Sequence, residues 1–274
     1  MISCKEKPSE KVIAIYIQNY KYEKQDILVI GKISKDSIVK ITDWDDSKKK
    51  QVVNRKPYLK KYPNYYISHN DSITKISVNK ILKKEFQCNT LTVGNSNEYY
   101  LNINNDFSLA TNHSDFKNFL KHEDIDVNYK VLGLISSKMQ KAFGQNEISL
   151  IDYDEENIFN STSKDFSTKI LQSIDLNNDG DNEFIIKGTV ENQDGYGSES
   201  VFLILTVTEN YIKEIGSIKS WRSGYNLIGI TDLNNNGKLE LTFQGAGYES
   251  IGFEIYEINK NGIKKLLHTI PYGC

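Results

Sequence analysis

A fourteen-residue stretch of this chain repeats without a gap 57 residues further on: DLNNDGDNEFIIKG at 175–188 reappears as DLNNNGKLELTFQG at 232–245. A chain that carries the same stretch twice is expected to fold it twice the same way, so the C-terminal part reads as stacked copies of one small unit. After a shortening of six residues the match resumes, with Phe202 to Ile212 over Phe253 to Ile263. Each unit reads as a polar loop, a strand, a turn, a strand, a turn and a strand, about the content of one four-stranded blade. A fainter echo lies upstream. Asp26 to Gly31 repeats the acidic, apolar, glycine-ended pattern of Glu183 to Gly188, and Ser37 to Thr42 reads as its next strand.

Alternation of β-branched and aromatic residues with polar ones dominates the rest, as in Val12 to Ile17, Ile27 to Ile33, Glu98 to Ile103, Phe184 to Val190, Val201 to Thr208 and Phe253 to Ile258. That period of two marks half-buried strands. A helix is expected at Ser114 to Glu123, where Ser114 caps and Phe116, Phe119 and Leu120 share a face, and a shorter one at Ser136 to Phe143. The fold class read from this is all-β: propeller-like repeated antiparallel sheets with minor helical insertions, a sandwich being the other architecture such strands build. The expected organisation is an N-terminal tether at 1–11, degenerate β repeats with a helical insertion at 12–164, and two loop-bearing β repeats at 165–274. At ~45–60 residues a unit, 274 residues make about five.

The repeated loop carries the chemistry. In Asp175-x-Asn177-x-Asp179-Gly180-x-x-Glu183 oxygen-bearing side chains occupy alternate positions, a glycine allows a sharp turn, and a carboxylate closes the set. Such a spacing suits a hard cation: calcium takes six to eight oxygens at ~2.3–2.6 Å. Asp175, Asn177, Asp179, the Asp181 backbone and Glu183 are the expected ligands. The closing acid stands ninth, not twelfth as in an EF-hand, and leads into an apolar strand instead of a helix. The other reading of these loops is an Asn/Asp-rich turn whose side chains cap their own backbone.

The two stretches resemble the calcium loops of FG-GAP and VCBS-type repeats, the units of integrin-like β-propellers and of many bacterial surface proteins. The resemblance spans roughly Ser167 to Tyr272, with Gly245-Ala246-Gly247 near the family's Gly-Ala-Pro. It implies calcium at Asp175, Asn177, Asp179, Asp181 and Glu183 in the first loop, and at Asp232, Asn234, Asn236, the backbone of Lys238, and Glu240 in the second. The second loop keeps only two carboxylates, and no third acidic loop follows the pattern.

Composition and motifs narrow the function. A net charge of −2 gives no basic field for nucleic acid, and of 34 basic residues only Arg55 and Arg222 are arginine, so the lysine runs at 48–50 and 60–61 read as solvated loops. No stretch of ~18 apolar residues offers a membrane span. There is no G-x-S-x-G, H-E-x-x-H, P-loop or dinucleotide fingerprint. His69, His113, His122 and His268 are scattered. The acids at Asp43, Asp45 and Asp46 beside Trp44, and at Asp152, Asp154, Glu155 and Glu156 beside Tyr153, could supply paired carboxylates for glycoside cleavage, and acidic turns explain them better. Trp221, Arg222 and Tyr225 read either as a small ligand surface or as packing between blades.

Met1-Ile-Ser-Cys4, followed by a polar stretch, resembles the end of a bacterial lipoprotein signal. It implies an extracytoplasmic, cell-envelope protein that meets a membrane only through a lipid on Cys4. Cys88 and Cys274 then remain as a pair that an oxidising compartment permits to bond; two free thiols are the alternative. The expected function is a non-enzymatic calcium-binding β-repeat module with a structural role or a protein or carbohydrate ligand. A cell-envelope hydrolase, such as a glycoside hydrolase with loop carboxylates, is the alternative.

Overall fold

The computed structural model describes residues 10–19, 24–34, 37–41, 55–69, 72–86, 89–97, 106–121, 125, 129–142, 166–191, 198–207, 212–219, 224–247 and 250–273. Within them the chain is all-β, with antiparallel sheets and two helices. The first sheet collects β1 (Val12–Asn19), β2 (Lys24–Ser34), β3 (Ser37–Lys40), β4 (Asn64–His69), β5 (Ser72–Ser77), β6 (Lys80–Phe86), β7 (Asn89–Ser96) and β8 (Phe107–Thr111). Its order is β5-β4-β8-β1-β2-β7-β6, with β3 beside β2. Helix α1 (Lys56–Lys61) precedes β4, and α2 (Tyr129–Ala142) follows β8.

The second sheet is a four-stranded meander of β9 (Phe166–Ile174), β10 (Glu183–Glu191), β11 (Ser198–Val207) and β12 (Ile212–Lys219). The third repeats it with β13 (Tyr225–Thr231), β14 (Glu240–Gly247), β15 (Ser250–Asn259) and β16 (Gly262–Gly273). Each repeated loop joins the first and second strands of its sheet. The unit is therefore one strand longer at its front than the repeat in sequence, because the leading strand diverged while the loop did not.

Packing follows from strand parity. On β15, Phe253 and Ile255 enter a core shared with Ile13, Ile15, Leu28 and Ile30 of the first sheet. Tyr256 and Ile258 point the other way, into a core shared with Phe202 and Ile204 of the second. The third sheet is thus the middle layer, buried on both faces. Outside it, Leu59 of α1 covers Val12, Ala14 and Val29, and Ile135 and Met139 of α2 cover Ile170, Ile186 and Leu203. Where the first and third sheets meet, a Cβ on Gly229 would lie 2.7 Å from Leu109 Cδ2, so no larger residue fits without repacking.

Two expectations change. Ser114 to Lys121 does not form a helix: after a turn at Ser114 and Asp115 the chain runs along the open edge of β13. Phe119 N–H donates to Ile230 O at 2.7 Å, and Asn118 Oδ1 accepts from Ile230 N–H at 2.9 Å and Leu120 N–H at 3.1 Å. Bonds to a strand edge replace the internal bonds of a helix, while Phe116 and Leu120 still reach the cores on either side. The second helix starts earlier, at Tyr129. The faint echo forms β2 and β3, which pair with each other inside the first sheet. Glu98 to Ile103 and all three cysteines lie outside the described residues. No helix among the described residues is long and apolar enough to cross a membrane.

Candidate metal centre

The two repeated loops adopt one hydrogen-bond scaffold. At the first, Asp175 Oδ1 accepts from Asp179 N–H at 3.2 Å and Oδ2 from Gly180 N–H at 2.9 Å. At the second, Asp232 Oδ1 accepts from Asn236 N–H at 3.0 Å and Oδ2 from Gly237 N–H at 2.9 Å. The chain turns through left-handed residues at the same places, Asn178 (φ 59°) with Gly180 (94°) and Asn235 (60°) with Gly237 (82°). Asparagine and glycine are the residues that hold such angles at low cost, which is why the repeat keeps them.

The closing glutamates lie beneath the loops, both fully buried. Glu183 Oε2 accepts from Leu176 N–H at 2.8 Å, and its Oε1 from Asn177 Nδ2 at 3.1 Å and Thr206 Oγ1 at 3.2 Å. Glu240 likewise takes Leu233 N–H at 2.7 Å and Asn234 Nδ2 at 3.0 Å. Burial pushes Glu183 above the usual carboxyl range against these bonds, with the charges of Asp179 and Asp175 adding. Burial raises Glu240 to about 7, with Asp232 and Glu257 adding. Asp179 is held low, first by the Asp181 N–H at 3.0 Å and then by Lys260, whose ammonium is 3.5 Å away.

The first loop therefore brings Asp175, Asn177, Asp179 and Asp181 together around one turn with Glu183 below them. Among the described residues no three His, Cys, Asp or Glu side chains converge closely enough to hold a metal ion as they stand. The donor set includes an amide. Asn177 is only 7% exposed, and its Oδ1 has no hydrogen-bond partner. Its counterpart Asn234 Oδ1 accepts Asn236 N–H at 3.1 Å, a bond within the second loop. A buried carbonyl oxygen without a donor costs free energy, on the order of 1–3 kcal/mol, and a hard cation would supply what it lacks. The donor types of the first loop, carboxylates and an amide oxygen, are those a hard cation takes.

The loops touch. Leu239 N–H donates to Leu176 O at 2.8 Å, and Asn178 Nδ2 lies 3.2 Å from where a Cβ on Gly237 would stand. Two groups around them were not legible as site residues, Lys11 Nζ on Asn235 Oδ1 at 3.2 Å and Glu257 accepting from Asn236 Nδ2 at 3.3 Å, while Lys238, expected for its backbone oxygen, sets its Nζ on Asn259 Oδ1 at 2.7 Å. Only Glu257 left a signal, a charge two residues past Ile255 at a position directly opposite Glu240 in the ladder.

A second polar cluster sits midway along β15 in the third sheet. Glu254 is fully buried and accepts from Tyr225 OH, Tyr256 OH at 2.8 Å and Lys265 Nζ at 2.5 Å, with His268 Nδ1 at 2.7 Å. Burial alone would raise this carboxyl, yet the bonds from His268, Lys265 and the two phenols outweigh it and hold it at about 2. What surrounds Glu254 is a set of donors drawn from β13, β15 and β16, so the group clamps three strands together. Glycoside cleavage requires a second carboxyl beside the first.

Of the remaining sequence candidates, Tyr225 is buried, stacked on Phe243 of its own sheet with ring centroids 5.1 Å apart, and meets Phe202 of the second sheet edge-on at 5.8 Å. His69 ends β4, and His113 lies 3.9 Å from Asp115. Lys60 and Lys61 form the last turn of α1, with Lys61 3.7 Å from Glu10. His122, Asp43, Trp44, Asp45, Asp46, residues 48–50, Asp152, Tyr153, Asp154, Glu155, Glu156, Trp221 and Arg222 lie outside the described residues. No family model, curated protein or solved structure matches the chain.

Proposed function

We propose that this protein is a non-enzymatic, calcium-stabilised β-repeat module of the FG-GAP/VCBS kind, built as consecutive propeller-like sheets. It works outside the cytoplasm as a structural or ligand-binding element, held at the cell envelope by a lipid on Cys4. The observation that carries the reading is the first loop: oxygen side chains at alternate positions, and a buried Asn177 Oδ1 without a donor. The repeated scaffold of the second loop supports the repeat assignment, and the lipobox-like start supports the compartment, where calcium is plentiful. Bound there, calcium would be held by Asp175, Asn177, Asp179, the Asp181 backbone and Glu183, and it would tie the β9–β10 connection into a fixed shape.

A thermal melt of the whole chain in calcium and in chelator tests this. An ion bound only by the folded loop, at a concentration a hundred times its Kd, stabilises by about 2.7 kcal/mol. The wild type should melt higher in calcium, and Asp179→Ala should lose the difference. A melt indifferent to calcium in the wild type would remove the proposal.

A further inference from the structure

The two loops share a scaffold and differ in what fills it. In the first, four acids stand in and below the turn, Asp175, Asp179, Asp181 and Glu183, and the amide oxygen of Asn177 is buried without a donor. In the second, that same oxygen is already used, because Asn234 Oδ1 takes Asn236 N–H at 3.1 Å. Asn236 replaces Asp179, and its amide turns outward to donate to Glu257 at 3.3 Å. Lys238 replaces Asp181, and its ammonium reaches Asn259 Oδ1 at 2.7 Å and lies 4.0 Å from Glu257 Oε1. Lys11, just before the central strand β1 of the first sheet, sets a second ammonium on Asn235 Oδ1 at 3.2 Å. Among the described residues no such pair of cations stands beside the first loop; Lys260, 67% exposed, lies 3.5 Å from Asp179.

We infer that the second loop carries its cations internally, in Lys11 and Lys238, and that the chain accordingly takes one divalent ion, at the first loop alone. This rests on the calcium reading above and narrows it. Two ammonium groups beside Asp232 and Glu257 do electrostatically what an ion does beside the first loop, and the amide oxygen that would have met the ion is satisfied by backbone. The arrangement also gives the second loop a task. Leu239 N–H on Leu176 O joins the two turns directly, so a loop that is closed without an ion braces its neighbour in the shape that binds one.

Titration calorimetry of the whole chain with calcium alone decides the matter, read with a melt in chelator to show that each variant is folded. The wild type should bind one equivalent. Asp179→Asn, which keeps the size and the acceptor for Asp181 N–H, should melt in chelator as the wild type does and bind at least tenfold more weakly. Two equivalents in the wild type, or one equivalent retained undiminished by Asp179→Asn, would overturn the inference while leaving the calcium reading in place. No binding at all would overturn both.

Discussion

Glu254 gives the sharpest test of how the middle sheet is held. Its carboxyl is fully buried under donors from three strands and is held at about 2, against an ordinary value of 4.5. A depressed carboxyl stabilises the folded state above the unfolded-state value, and that contribution is lost as pH falls through the folded one. A difference of that size corresponds to about 3 kcal/mol at neutral pH, of which about 2 kcal/mol is gone by pH 3. Glu254→Gln keeps the shape and removes the charge, leaving Lys265 and His268 without their anion. Urea denaturation of both proteins at pH 7 and pH 3 isolates the term, since the other carboxyls contribute alike to each. The variant should be less stable at pH 7 by about 3 kcal/mol, and its loss between pH 7 and pH 3 should be about 2 kcal/mol smaller than that of the wild type. If the two proteins lose stability in parallel over that range, the carboxylate does not clamp the strands.

Two further outcomes concern packing. Gln25 in β2 is 1% exposed, with neither side-chain nitrogen nor oxygen partnered, so Gln25→Leu should raise the urea midpoint by an amount equal to about 1–3 kcal/mol; a lower midpoint would mean that ordered water serves the amide. Gly229→Ala should cost about 1–3 kcal/mol by driving a methyl into Leu109 across the join of the first and third sheets, and an unchanged midpoint would show that the join is loose.

The parts of this protein that were legible in its sequence are those set by neighbours in the chain. Asp175, Gly180 and Glu183 lie within nine residues, and a local hydrogen-bond scaffold follows from their spacing; the same holds for the alternation in β10, β11 and β15. Ser114 to Glu123 misled because Phe116, Phe119 and Leu120 have helical spacing, whereas the partner that fixes their conformation, Ile230, is more than a hundred residues away. The order of the first sheet could not be read for a like reason, since β8 and β7 insert beside strands that the chain left long before. The inequality of the two loops was legible in part from their own residues, since the second keeps only two carboxylates; the remainder was not. It depends on Lys11 and Glu257, which reach the second turn from other strands.

In the first sheet, β1 is central: Ile13 pairs with Gly31 on one side and with Thr111 on the other. The first contact forms within a hairpin, while the second must wait until the chain has been made out to β8. Closing so long a loop carries an entropic cost before any ladder bond repays it, and sheets wired this way fold slowly. During synthesis the strand rich in Ile and Val presents one bare edge for as long as the following hundred residues take to emerge. That interval is when a second nascent copy, or a chaperone, would compete for it. Its cover on that side is β8, and the stretch that continues from β8 to Lys121 later receives the edge of β13.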